Sequence, residues 1–146
     1  MKLSTRSRYG TRILLELARH PDKKPVTVSD ISSQQNIPVK YLEQLIRTLK
    51  SADLITSIRG AKGGHILAKA PEEITLGFLV RLFEKPYELV ECISAPETCE
   101  RADDCRVRLA WKQATDALYE KLDAISVADL LCESSPECAP LDIPPI

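Results

Sequence analysis

Asn36-Ile37-Pro38 leaves three residues in which to end one helix and begin another, and this short turn most restricts what the chain can fold into. Thr27 followed by Asp30 reads as a capping box for a short helix over Val28 to Gln35. Pro38 stands at the first position of the next helix, where its missing N–H costs nothing. That helix, Pro38 to Ala52, carries Leu42, Leu45, Ile46 and Leu49 at helical spacing. Its other face presents Lys40, Tyr41, Glu43, Gln44, Arg47 and Lys50. Upstream, Ser4 or Thr5 can cap a helix running to about His20, with Ile13, Leu14, Leu17 and Ala18 on one stripe. Pro21-Asp22-Lys23-Lys24-Pro25 breaks it. Downstream, Leu54 to Ile58 alternates apolar and polar, three glycines follow, and His65 to Lys69 is again strand-like. The pattern predicts a β-hairpin with a glycine tip. Three helices and a hairpin in this order predict a winged helix-turn-helix.

After Ala70-Pro71 the chain changes character. Thr75 to Glu84 reads as a short apolar helix (Leu76, Leu79, Val80, Leu82, Phe83) stopped by Pro86. Arg106 to Asp123 reads as the longest helix, about 27 Å at 1.5 Å per residue. Val107, Trp111, Ala114, Leu118, Leu122 and Ile125 form its apolar stripe, which suits a partner helix from a second subunit. Ser126 and Asp129 are expected to cap a last short helix to about Cys132, and the tail is expected to be loose. The expected fold is mainly α with a small β-hairpin wing. Residues 1–70 form a winged helix-turn-helix, 71–132 a cysteine loop with dimerisation helices, and 133–146 a flexible tail.

Charge separates the two halves. Residues 1–69 carry thirteen Lys or Arg against five Asp or Glu, a balance of +8, while residues 70–146 stand at −9. A polyanion partner is therefore expected for the first half only. On the third helix, Lys40 and Tyr41 can reach phosphates or bases, Gln44 can pair with adenine, and Arg47 with guanine or phosphate. Glu43 would be repelled by the DNA backbone unless it accepts from a cytosine amino group; alternatively it pairs with Arg47 along the helix. The hairpin tip, with Ser57, Arg59, Gly60 and Lys62, suits a minor-groove probe. It is not a P-loop, since Lys62 has no Ser or Thr after it. No motif places a nucleophile–base pair or an acid pair, so no enzyme is expected. No apolar run approaches the roughly 20 residues of a membrane span and the N-terminus has no apolar leader, so a cytoplasmic protein without a membrane partner is expected.

Cys92, Cys99 and Cys105 lie within fourteen residues, in the acidic run CISAPETCERADDC. Their spacing is wider than a zinc knuckle, and an odd number cannot close into disulfides alone. Three thiolates offered to a soft metal centre fit best; a structural zinc site or a thiol switch is the alternative. His65 is expected on the wing surface rather than as a ligand.

YLEQL at Tyr41–Leu45, RGAKGG at Arg59–Gly64, the three cysteines and LAW at Leu109–Trp111 resemble the IscR-type iron–sulfur regulators of the Rrf2 family of winged-helix repressors. The resemblance covers about residues 1–132. It implies a homodimer on a palindromic DNA operator and a [2Fe–2S] cluster, or in relatives a [4Fe–4S] cluster, ligated by Cys92, Cys99 and Cys105. It also implies that Glu43 and Arg59 read DNA and that the long helix builds the dimer. The IscR pattern places a histidine ligand three residues after the last cysteine; here that residue is Arg108. Six residues separate the first two cysteines, where five is commoner. Asp103, Asp104, Glu100, Cys132, Cys138 or a partner-subunit group stay open as fourth ligand; a partner carboxylate would match nitric oxide-sensing relatives. Without a cluster the loop, short of apolar anchors, is expected to be mobile.

Overall fold

The computed structural model describes residues 3–20, 22, 24–84 and 88–131. Five helices and one hairpin follow the expected order: α1 (Thr5–Ala18), α2 (Val28–Gln35), α3 (Val39–Ser51), β1 (Ile55–Ile58), β2 (Gly64–Leu67), α4 (Leu76–Phe83) and α5 (Arg106–Asp123). The chain is mainly helical with a two-stranded antiparallel hairpin.

Local chemistry sets most helix ends. Ser4 Oγ accepts from the Arg6 N–H at the start of α1. Thr27 Oγ1 accepts from the Asp30 N–H (3.1 Å) and donates to Asp30 Oδ2 (2.7 Å), so both capping residues are engaged. Asn36 closes α2 in the left-handed region (φ 52°), a conformation asparagine tolerates better than most residues. Pro38 lies one residue earlier than expected: it is the N-cap, with extended ψ, and its carbonyl accepts from Leu42 N (2.9 Å). Thr75 caps α4 by accepting from Phe78 N (3.2 Å).

Ile13, Leu14, Leu17 and Ala18 of α1 meet Ile31 and Ile37 around α2 and Leu42, Leu45, Ile46 and Leu49 of α3 in one buried cluster. Ile74, Leu79, Phe83 and Val127 belong to that same cluster. α1 and α4 approach closely because Gly10 faces the Phe83 ring, where a methyl would collide with the aromatic carbons. In the hairpin, Ile55 pairs with Leu67, Thr56 with Ile66, Ser57 with His65 and Ile58 with Gly64. Val26 adds a third line of backbone by exchanging hydrogen bonds with His65 (3.0 and 2.8 Å). His65 is thus half-buried on the wing, its backbone at the middle of this small sheet.

Two further expectations are corrected. Ser126 and Asp129 do form reciprocal cap bonds (2.7 to 3.2 Å), but residues 127–131 make a turn, not a helix. The Val127 N–H is taken by Ile74 O (2.8 Å), which draws Val127 into the core and leaves only i→i+3 bonds behind it. The apolar stripe of α5 is divided: Leu118, Leu122 and Ile125 are half-buried, whereas Val107, Trp111 and Ala114 are exposed. Arg81 ties α4 to the end of α5 through a bidentate bridge to Asp123 (2.7 and 2.6 Å) and sits over the Tyr119 ring (4.5 Å). Pro86 as a helix stop, Cys132, Cys138 and the expected loose tail lie outside the described residues. No described helix is long and apolar enough to cross a membrane.

Candidate functional site

Two sets of residues were singled out, and the structure treats them differently. On α3, Lys40, Glu43, Gln44 and Arg47 are exposed, as the helical period requires once Leu42, Leu45, Ile46 and Leu49 turn inward. Among the described residues no ion pair joins Glu43 to Arg47, so the intrahelical alternative for Glu43 is not formed. Tyr41 is half-buried. Its hydroxyl shares a hydrogen bond with Thr5 Oγ1 (3.0 Å), and its ring meets Tyr9 edge-on (centroids 6.0 Å apart). Tyr41 therefore anchors α3 to α1 as well as bordering its exposed face.

The turn between α2 and α3 is held by a polar network that the sequence pattern did not reveal. Arg12 of α1 donates to Gln35 Oε1 (2.9 Å) and to the Gln35 carbonyl (2.6 Å). Gln35 Nε2 donates to the buried Glu16 (2.7 Å), which also pairs with Arg19 (3.5 Å). Ser32 Oγ donates to the Ile37 carbonyl (2.7 Å). A buried carboxylate is tolerated only when its hydrogen bonds are made, so these partners are fixed together. The same residues orient α3.

Leu54 carries the chain directly from α3 into β1, accepting from Ala68 N (2.9 Å) and donating to Leu49 O (3.0 Å). At the hairpin tip Arg59, Gly60, Ala61 and Lys62 are exposed. Gly60 has φ +114°, a conformation closed to most side chains, and Gly63 N donates back to Gly60 O (2.9 Å). Ser57 is turned to His65, Oγ to Nδ1 3.2 Å. Burial, and after it the nearby Lys50 charge, lowers the His65 pKa below its ordinary value.

The cysteine segment carries local structure of its own. Glu91–Ile93 and Pro96–Thr98 form 3-10 turns, and Ala102 is buried. Cys92, Cys99 and Cys105 are all free thiols; Cys92 and Cys105 are half-buried and Cys99 is exposed. Cys105 is the N-cap of α5, its Sγ accepting from Arg108 N (3.4 Å). Arg108 donates from Nε to the Cys92 carbonyl (2.6 Å) and from Nη1 to the Ala102 carbonyl (3.2 Å), while Nη2 reaches the Ile93 carbonyl at 3.5 Å. The segment thus has anchors that its composition did not suggest.

The donors suit an iron–sulfur or other soft metal group in kind, being three free thiols on one short segment. Among the described residues, however, no three His, Cys, Asp or Glu side chains converge on one point. Arg108, permanently charged and already hydrogen-bonded, supplies no ligand at the fourth position.

The first turns of α5 carry exposed apolar residues: Val107, Leu109 and Trp111 are 61%, 57% and 45% exposed. They begin two residues after Cys105, and Val107 and Leu109 flank Arg108.

Comparison with known proteins places this geometry in context. The family model for Rrf2, an iron-dependent transcriptional regulator, matches residues 3–133. The chain is 46% identical over 135 residues to the protein rrf2 of Nitratidesulfovibrio vulgaris, covering 92% of this chain and 90% of that one. The structure of CymR, the global cysteine regulator of B. subtilis, superposes with a TM-score of 0.75 at 37% identity, over 90% of this chain and 96% of CymR. T. potens IscR superposes with a TM-score of 0.71 at 33% identity, over 90% of this chain and 86% of IscR.

Proposed function

This chain belongs to the Rrf2 family of winged-helix transcriptional regulators, DNA-binding proteins rather than enzymes, and we propose that it is a homodimeric repressor or dual regulator controlled through its cysteine loop. In this reading α3 and the wing read a palindromic operator in the cytoplasm. Lys40, Tyr41, Gln44 and Arg47 meet phosphates and base edges in the major groove, and Glu43 selects cytosine. Ser57, Arg59, Gly60 and Lys62 probe the minor groove. A second copy covers Val107 and Trp111, since exposed apolar residues four apart share one face at the start of an 18-residue helix and suit a subunit interface.

Cys92, Cys99 and Cys105 would hold an iron–sulfur cluster, [2Fe–2S] rather than [4Fe–4S], with a fourth ligand from somewhere other than Arg108. When bound, the cluster supplies sensitivity to iron, sulfide and oxidant. The observation that carries the reading is that Cys105 is at once a candidate ligand and the cap of α5. A change at its sulfur acts on the start of the helix that bears the uncovered apolar face. Differential stabilisation of two arrangements there can alter operator affinity about 5–150-fold, a coupling of roughly 1–3 kcal/mol.

A second reading, a thiol-redox, nitric oxide or zinc site on the same cysteines, is favoured by the braced loop and by the likeness to a relative named for cysteine regulation. Iron and acid-labile sulfide per chain, with the visible spectrum, decide between them on protein purified without oxygen. About two irons and two sulfides, lost in Cys92→Ala, support the cluster reading. Zinc without sulfide, or no metal with thiols that titrate away on oxidation, supports the second.

A further inference from the structure

We infer that Arg108 is the brace that holds the two arms of the cysteine loop together. Its guanidinium gathers backbone from both arms of the loop: the Cys92 and Ile93 carbonyls from the first, the Ala102 carbonyl from the second. Converging carbonyl dipoles repel one another and are normally satisfied by a cation. Arg108 is that cation, with five donors in a rigid fork and a charge it never loses. Among the described residues no carboxylate pairs with it, so the carbonyls are what it serves. It is rooted in the first turn of α5, three residues beyond Cys105, whose sulfur accepts its backbone N–H. One side chain therefore ties both loop arms to the helix start. Arg108 is a positioning residue: it sets where Cys92 lies relative to Cys105 and keeps both half-buried while Cys99 stays exposed.

The brace deepens the sensory reading of this loop, because it positions the first and last of the three candidate thiols. Its own existence is tested without any metal, so a negative metal analysis would defeat the cluster reading and leave the brace standing.

The test uses the full-length, reduced, chelator-treated protein, with iodoacetamide labelling followed by peptide mass spectrometry. In the parent chain Cys99 should label faster than Cys92 and Cys105. Arg108→Gln should speed labelling of Cys92 and Cys105 by about tenfold, the worth of one charge-assisted hydrogen bond, and leave Cys99 within about twofold. Amide exchange in α1–α3 should not change. Arg108→Lys keeps the charge without the fork and should fall between the two. Unchanged Cys92 and Cys105 rates in folded Arg108→Gln would overturn the inference. If that variant does not fold, Arg108→Lys labelling as the parent does would overturn it instead.

Discussion

The wing tip and the cysteine loop are both short, exposed and rich in turns, yet they are held by different means. The wing rests on a strand ladder: four cross-strand pairs, a further bridge to Val26, and one glycine at positive φ. Its shape repeats down the backbone, so losing one side chain leaves the ladder standing. The cysteine loop has no ladder. It depends on two 3-10 turns, one buried alanine, a sulfur cap and one guanidinium. A region built that way can be rearranged by chemistry at a single sulfur, which a strand ladder cannot. The wing joins the buried core through Ile55 and Leu67, whereas that core includes α4 and Val127 but no residue of the cysteine loop.

The sharpest challenge to that picture is Leu79→Ala. Leu79 is fully buried on α4 within the cluster shared with α1–α3, and its truncation should remove about 2–5 kcal/mol. Far-UV dichroism and Trp111 fluorescence should still melt together. Two separated transitions would mean that the loop side and the reading side are separate units.

Next in size, Arg59→Ala at the wing should weaken operator binding by about 1–3 kcal/mol while leaving thiol labelling unchanged. Glu43→Ala should instead relax discrimination at one base pair, by a similar amount. Equal loss on all sequences in a fluorescence-anisotropy titration would make Glu43 a bystander. Log affinity should also fall linearly with log salt, as phosphate contacts require.

A smaller effect is expected where α4 meets α5. The hydrogen bond from Arg81, and then its charge, hold Asp123 below the ordinary aspartate range. The carboxylate form is the one the fold favours, so this contribution is complete above that range and is lost as pH falls through the depressed value. The pair is largely exposed, and Asp123→Asn should cost no more than about 1 kcal/mol near neutrality. The acid limb of a denaturation series should flatten in that variant; an identical limb would assign the acid sensitivity elsewhere, with Glu84 next in line. Glu84 is lowered chiefly by the Ser7 hydroxyl, then by Ser4.

The smallest effect belongs to the wing's own titrating group. Burial and Lys50 disfavour protonated His65, so its contribution is complete above the ordinary histidine pKa and declines as pH falls through the lowered one. The His65 amide, bonded to Val26 O (2.8 Å), should exchange faster at pH 5 than at pH 7.5 after correction for intrinsic rates. The same acceleration in His65→Gln would remove the histidine from the explanation.

What could be read in advance follows the range of the interactions. Thr27, Asn36 and Ser4 act within three or four residues of themselves, and the stripes of α1 and α3 repeat at a fixed period, so helices and turns could be placed by inspection. Pro38 shifted by one position because a proline φ serves an N-cap as well as a first helical residue. Ser126 and Asp129 make the local cap bonds, but Val127 and Ala128 are tethered to Ile74 and Pro71, more than fifty residues away, and the turn that follows closes at i→i+3.

By itself the sequence determined the winged helix-turn-helix, the charge division, the exposed polar face of α3 and the grouping of three cysteines, since each is local or additive along the chain. Only the tertiary structure decided that Arg12, Gln35 and Glu16 lock the turn, that Gly10 admits Phe83, and that α5 is covered at one end and bare at the other. It also turned Arg108 from an absent ligand into the support of the loop. These depend on which distant carbonyl, ring or carboxylate arrives opposite a side chain, and no period or spacing carries that information.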